Sequence, residues 1–329
     1  MLYYIQSPST DPHFNLALEQ HVFDNLDQRH SYFMLWQNTS AVIVGKHQNT
    51  IAEINAAYIQ EHEIAVVRRL SGGGAVYHDL GNLNFTFVAD GTDQGFDFSV
   101  FCKPVARALA LLGVPVAISG RNDMTIDGKK FSGNAQYMKR GRVMHHGTIL
   151  YNSDLEAMSR ALNVPPDKIT SRGIKSMHSR VTNIQPYLRQ NRPIAWFRDA
   201  LRDFMFQEHA MRTHTLTPHD LEEARRLQNT IYLQWDWNYG ASPAYSIRKK
   251  RRVEGCGAIE VFMDVHEGSI SGIAFYGDYF GHGDAAELAR RLEGCALEEN
   301  ALRRTLSDLD IGLYFNNCDT DGLVSLLLC

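Results

Sequence analysis

No apolar run in the 329 residues approaches the ~18 that a membrane-spanning helix needs. The N-terminus, Met1-Leu2-Tyr3-Tyr4-Ile5-Gln6, has neither a basic start nor an apolar core, so it does not read as a signal peptide. Cysteine is sparse: Cys102, Cys256, Cys295, Cys318 and Cys329 are an odd, scattered set with no CxxC pair. That argues against a disulfide framework or a zinc ribbon and for a reducing, cytoplasmic setting. The 14 histidines show no HExxH spacing, which argues against a zinc site. No global basic field exists either. The 33 basic and 37 acidic residues give a net charge of −4, so neither nucleic acid nor a membrane is an expected partner, and any anion must be held by a local device.

What remains is ordinary for a globular chain, with 44% hydrophobic and 21% charged residues. The length fits one large or two smaller domains. Asp11-Pro12 suits a helix start, and Phe14, Leu18, Val22 and Leu26 give that helix one apolar face. Strand-like runs occur at 32–37, 41–45, 64–70, 83–89 and 143–151. Helical patterns occur at 55–61, 98–112 (with Pro104 near its start or at a kink), 154–162, 193–209 and 218–227. Asp127-Gly128 between apolar runs signals a tight hairpin. Composition changes near Tyr239–Pro243, where a basic run, Arg248 to Arg252, precedes two strand-like and two helical patterns. The reading is a large domain over 1–245 and a small α+β domain over 246–329.

Four segments could carry chemistry. The first is Arg68-Arg69-Leu70-Ser71-Gly72-Gly73-Gly74-Ala75-Val76-Tyr77-His78-Asp79. Three consecutive glycines let backbone N–H groups approach an anion, and arginine pairs with phosphate or carboxylate in a fork. A flexible hairpin tip is the competing reading. A P-loop is excluded because Ala75-Val76-Tyr77 stands where Gly-Lys-Ser/Thr is required, and a dinucleotide fingerprint because no third glycine opens a helix.

The second segment, Gly120 to Ala135, contains Lys129 and Lys130. Strand alternation points them to opposite faces, so one can enter a site while the other meets solvent. A lysine beside a carboxylate or phosphate at ~4 Å gains about 4 kcal/mol at an effective dielectric of about 20. Asp123 could hold Mg²⁺ against phosphates, or be an ordinary polar strand residue. In the third, His145-His146-Gly147-Thr148, the histidines face opposite sides and cannot jointly chelate one metal. Either one is a site hydrogen-bonder or both are packed. The fourth, Gly173 to Ile184, interleaves basic and hydroxyl residues and suits either an anion-contacting loop or a solvated one. Trp36 reads as core, and the basic run at 248–252 as a solvated hinge or strand edge. No cysteine has an evident activating base.

Taken in order, RRLSGGGAVYHDLGNLNFTF, GRNDMTIDGKKFSGNAQ, HHGTILYN, GIKSMHSRVTN and QWDWNYGASPAYS resemble the lipoate–protein ligase A family, and the resemblance extends over essentially the whole chain. It implies an α+β fold: a large mixed-sheet domain of the biotin-ligase and class II synthetase-like type, with a small C-terminal accessory domain. It implies that lipoate and MgATP give lipoyl-AMP and pyrophosphate. The lipoyl group then passes to a lysine ε-amine on acceptor domains: acyltransferase subunits of 2-oxoacid dehydrogenases, or the H protein of glycine cleavage. ATP and Mg²⁺ are required, no tightly bound prosthetic group is expected, and the chain is expected to be a monomer.

By motif, the resemblance assigns Arg69, Gly74, Ala75, Val76, Tyr77 and Lys130 to ATP. It assigns Trp36, Arg69, Ser71, Gly72, Gly73, Lys130 and His146 to lipoate, with Lys130 also the catalytic residue. Lys175, Ser179 and Arg180 would close over the adenylate, and Asp123 would bind the metal. The alternatives are an octanoyl or lipoyl transferase of the same fold, a biotin ligase, and a non-catalytic relative that binds lipoyl domains. The transferases employ a site cysteine, and none lies between Gly133 and Arg192.

Overall fold

The computed structural model describes the chain except residues 92–97, 120–121, 164–179, 240–246, 267 and 329. Two compact units emerge. The first comprises Met1–Ile43, Ile51–Arg68 and Val76–Asn238; the second comprises Val44–Thr50, Arg69–Ala75 and Tyr239–Cys329. The glycine-rich segment therefore groups with the C-terminal part of the chain.

The first unit is built on an eight-stranded mixed sheet. Its strands are β1 (Leu2–Gln6), β2 (Ser31–Trp36), β6 (Asn82–Asp90), β7 (Ala117–Ser119), β8 (Asp123–Ile126), β9 (Lys129–Lys139), β10 (Arg142–Leu150) and β11 (Met211–Thr213), in the order β11-β1-β2-β6-β10-β9-β8-β7. A second, three-stranded sheet has the order β4-β3-β5, with β3 at Ala41–Val44, β4 at Ala65–Arg68 and β5 at Val76–His78. In the eight-stranded sheet β1 pairs in parallel with β2 on one side and with β11 on the other. Its partner β11 lies some 200 residues away, and neither strand is legible locally.

Local chemistry explains the elements that were legible. Asp11 caps the helix Pro12–Asp24 by accepting from His13 N, with proline in the first turn. Asp154 caps Leu155–Ala161, and Thr217 with Asp220 forms a capping box on Pro218–Leu227. Asp127 and Gly128 both take positive φ, +49° and +76°, which is the two-residue hairpin turn that matches strand twist. Pro104 sits inside the helix Ser99–Leu111.

The central strands β6 and β10 are buried along nearly their whole length, because both faces of the sheet are covered. One face turns Phe33, Phe85, Phe87 and His145 toward the helix Ser99–Leu111. His145 lies 4.9 Å from the Phe101 ring and 5.9 Å from Phe85. Gln136 Nε2 donates to its Nδ1 at 3.1 Å, which leaves Nε2–H to donate to Asn134 Oδ1 at 3.2 Å. The opposite face carries Trp36, Asn84, Thr86, His146 and Thr148.

The second unit has its own sheet, β12 (Ile247–Val253), β13 (Gly257–His266) and β14 (Ser269–Gly277), paired antiparallel in that order. The helices Ala285–Leu292, Glu299–Leu306 and Thr320–Leu328 contribute Leu288, Leu302 and Leu323 to one core with Ile259, Val261 and Phe275. The basic run lies on the edge strand β12. Arg248 and Lys250 pair with Glu260 at 2.6 and 2.9 Å, and Arg252 lies 3.7 Å from Asp278. Charge on an exposed edge blocks further strand pairing.

Burial holds His145 well below the ordinary imidazole range, with His146 adding a smaller effect of the same sign. The unfolded state then binds the proton more readily than the folded state. Stability is level above about pH 6.5 and falls as pH drops below it, by at most ~1.4 kcal/mol per pH unit from this group. Denaturant unfolding at pH 7 and pH 5 should show that loss, and His145→Gln should make it smaller.

Candidate functional site

The motif residues of the first unit meet on one face of the large sheet. Across β2, β6 and β10, Trp36 stands opposite Asn84, and Asn84 opposite Thr148. Thr148 Oγ1 accepts from Gly133 N of β9 at 3.2 Å, and Gly133 stands opposite Asp123 of β8. Directly opposed residues share a face. Trp36, Asn84, Thr148, Gly133 and Asp123 therefore form a row across five strands.

Lys130 reaches into this row. Its Nζ lies 2.7 Å from Asp123 Oδ1, and only 2.8 Å from the position a Cβ on Gly133 would occupy. The register explains how. β9 shifts register against β8 between Lys130 and Ser132, so Phe131 is an extra residue that turns fully into the core. The Lys130 backbone is held by the segment after Ser179: its N–H donates to Arg180 O at 2.7 Å, and its carbonyl accepts from Thr182 N at 2.9 Å. Lys129 is exposed, as alternation requires. The assigned loop residue Arg180 thus meets Lys130 through backbone, whereas Lys175 and Ser179 lie outside the described residues.

One step along the strands runs a second polar row. Trp36 Nε1 donates to Thr86 Oγ1 at 2.9 Å, and Thr86 donates to Glu19 Oε1 at 2.6 Å. His146 Nδ1 pairs with the same carboxyl group at 2.9 Å. Glu19 comes from the helix Pro12–Asp24 and is 1% exposed. Sequence reading chose Trp36 and His146 but missed Glu19 and Thr86, which join them. The one available signal was a glutamate directly after the largely apolar stretch Phe14-Asn15-Leu16-Ala17-Leu18. A buried polar group left unpaired costs about 1–3 kcal/mol, so this network holds the helix and the two rings together.

In the second unit the glycine loop is shaped by Arg69. This side chain, 5% exposed, donates from Nε to Ser71 Oγ at 3.0 Å and from Nη2 to the carbonyls of Gly72 and Gly74 at 2.6 and 2.9 Å. The three glycines are not equivalent. A Cβ on Gly72 would stand 2.4 Å from Tyr279 O, and Gly73 has φ +88°. Around Gly74 a Cβ would meet nothing within 4 Å. The fold itself requires the first two, while the third leaves backbone open to a ligand. Val76 and Tyr77 follow on β5 in the first unit, with Tyr77 buried and its hydroxyl held protonated above the usual range by burial.

Among the described residues no group of three His, Cys, Asp or Glu could hold a metal by itself. Asp123 offers one hard oxygen ligand beside Lys130. Magnesium commonly takes one or two carboxylates and completes its shell with substrate phosphates and water, so this donor fits. A separate cleft of about 670 Å³ is lined by Tyr4, Arg202, Phe206 and His214 among others. None of the motif residues lines it, and its principal ion pair, Arg202–Asp203, is satisfied locally. The chemistry therefore favours the polar face over this cleft.

Comparison with known proteins agrees with the geometry. Residues 11–206 match the lipoyl protein ligase A/B catalytic domain, and residues 242–327 match the bacterial lipoate protein ligase C-terminus. The chain belongs to the lipoate–protein ligase family. It is 42% identical over 319 residues to lipoate–protein ligase 1 of Staphylococcus aureus, with 97% of each chain covered. It is 40% identical over 331 residues to lipoate-protein ligase LplJ of Bacillus subtilis, covering 99% and 100%. Among solved structures, Plasmodium falciparum LipL1 in complex with lipoate has a TM-score of 0.78 at 25% identity, covering 100% of this chain and 99% of that one. A bipartite lipoate protein ligase with its E2 lipoyl domain from Thermoplasma acidophilum has a TM-score of 0.65 at 28% identity, covering 75% and 98%. A lipoate-protein ligase A bound with ATP has 0.62 at 25%, covering 73% and 98%. The α+β architecture, a large mixed sheet plus a small C-terminal domain, is that of the family.

The glycine analysis separates structural from ligand-facing positions. Gly72→Ala should lower the melting temperature by several degrees, because a backbone carbonyl must move. Gly74→Ala should melt as the wild type does yet lose at least tenfold in activity. Differential scanning fluorimetry and a lipoylation assay on the same preparations check both.

Proposed function

We propose that the protein is an ATP-dependent lipoate–protein ligase acting in two steps: activation of lipoate to lipoyl-AMP with release of pyrophosphate, then transfer of the lipoyl group to a lysine ε-amine. The observation that carries this reading is the ammonium of Lys130 held over the polar face, beside Asp123, in a chain alike from end to end to named lipoate ligases. We assign residues 1–245 to the catalytic domain and 246–329 to an accessory domain.

The chemistry sets what each residue must do. Lipoate carboxylate and the α-phosphate of ATP are both anions, and attack brings them together. Lys130 offsets that repulsion and gains strength as charge concentrates in the transition state. The backbone N–H groups of Gly74, Ala75, Val76 and Tyr77 would cradle the nucleotide, in a loop whose shape Arg69 fixes. Ser71, Gly72 and Gly73 would border the acyl phosphate. Trp36 and His146, held by Thr86 and Glu19, would line the lipoyl pocket. Lys175, Ser179 and Arg180 would close over the adenylate.

Asp123 would hold Mg²⁺, which supplies charge neutralisation at the phosphates. In the second step the acceptor amine, ordinarily titrating near 10.4, attacks as the free base. The adenylate is a good leaving group, so no enzyme nucleophile is needed. The reading takes lipoyl domains of 2-oxoacid dehydrogenase acyltransferases and the glycine cleavage H protein as acceptors. It takes the protein to be cytoplasmic and monomeric, without a tightly bound prosthetic group. Among the described residues no helix is long and apolar enough to cross a membrane.

Lipoate-dependent ATP–pyrophosphate exchange, followed by mass spectrometry of a purified lipoyl domain, tests the proposal. Exchange and a lipoyl adduct on one lysine are expected. An octanoyl transferase would instead give transfer without exchange, and a binding relative would give neither. Lys130→Ala should lower exchange by about 10²–10³ while the protein stays folded. Normal turnover by that variant would overturn the assignment of Lys130.

A further inference from the structure

Two buried amides on the polar face have bonding capacity that the fold does not use. Asn82 and Asn84 lie on β6, two residues apart and therefore on the same side, with 0% and 1% exposure. Asn82 Nδ2 donates to Asn84 Oδ1 at 2.8 Å. Asn82 Oδ1 and Asn84 Nδ2 are buried without a hydrogen-bond partner among the described residues. Exchanging oxygen and nitrogen on both amides preserves their mutual bond and again leaves one donor and one acceptor. A buried polar atom left unpaired costs about 1–3 kcal/mol, so two side by side are a feature to be explained.

Their place in the sheet supplies the explanation. Asn84 stands directly between Trp36 and Thr148, and Thr148 adjoins Gly133, over which the Lys130 ammonium lies. Asn84 and Gly133 are two strand spacings apart, roughly 10 Å. An acyl group whose carboxyl end meets Lys130 would then have Lys130 to one side and the Asn82–Asn84 pair to the other.

We propose that Asn84 and Asn82 form the hydrogen-bonding site for the transfer step, Asn84 donating to the acyl carbonyl oxygen and Asn82 accepting from the attacking amine. This rests on the ligase reading above. In that step the lysine nitrogen forms a bond to the acyl carbon and pushes the carbonyl electrons onto oxygen. The tetrahedral centre collapses, the bond from carbon to the phosphate oxygen breaks, and AMP leaves with that electron pair. The nitrogen's surplus proton passes to solvent. Negative charge develops on the oxygen facing the Asn84 N–H, and the amine hydrogen faces the Asn82 carbonyl. One donor and one acceptor match this step, whereas activation of a carboxylate, which has no hydrogen to donate, uses only the donor. The substrate recognised is thus an acyl-adenylate together with a primary amine.

The test uses the full-length protein and separates the half-reactions. Transfer is measured in single turnover from preformed lipoyl-AMP to a purified lipoyl domain, and activation by pyrophosphate exchange. Asn84→Ala removes the donor. Asn84→Asp keeps the bond from Asn82 Nδ2 but replaces the unused donor with an anionic oxygen. Transfer should fall about 10²-fold in Asn84→Ala and further in Asn84→Asp. Asn82→Leu should slow transfer more than exchange. Melting temperatures show whether each variant is folded. Wild-type transfer rates in folded Asn84 variants would overturn the proposal. So would a lowered melting temperature with an unchanged rate per folded molecule, since the amides would then merely hold a structural water. An absence of exchange in the wild-type protein would sink the ligase reading itself, a distinct result.

Discussion

The register of three neighbouring strands, β6, β10 and β9, is the constraint on which the candidate site depends. Side chains on a strand alternate with a period of two, so a slip of one residue between β6 and β10 would send His146 to the wrong face and bring His145 in its place. The register is specified because both faces are buried and unlike. Beneath lie Phe85, Phe87 and Phe101 around a neutral His145; above lie Asn84, Thr86, His146 and Thr148. Gly147 reinforces it, because a Cβ there would stand 2.2 Å from Asn134 Oδ1 and 2.4 Å from the Phe85 ring. No other residue allows the two strands and the ring to approach so closely.

Charge on the polar face is managed by pairing. Glu19 is buried but accepts from Thr86 and pairs with His146, and Lys130 is paired with Asp123. A buried carboxyl group is tolerated only when it is hydrogen-bonded, and the helix carrying Glu19 is held in place by the same requirement. The two pairs differ in exposure. The Glu19–His146 pair is buried. The Lys130 pair is more than one-third exposed on the lysine side, so the ammonium is within reach of solvent.

The glycine loop shows a different division of labour. Arginine beside glycines suggests direct anion binding, yet the Arg69 side chain donates to its own loop's carbonyls and fixes their direction. Arg69 thereby orders the backbone of the glycine segment.

Much was determined by sequence alone. Helix caps at Asp11, Asp154 and Asp284, the Asp127-Gly128 turn and the strand runs around the motifs are local signals, and local chemistry produces those elements. The motif order identified the family, and alternation correctly separated Lys129 from Lys130 and His145 from His146. Tertiary structure decided what depends on distant partners. β1 and β11 became strands only by pairing with each other and with β2. Glu19 and Thr86 became partners of Trp36 and His146 only when a helix packed on the sheet. Asn82 and Asn84 stand out only once folding buries them and leaves Asn82 Oδ1 and Asn84 Nδ2 without a partner among the described residues. Spacing along a chain fixes which side a residue faces, but only packing fixes what stands opposite it and whether water can reach it.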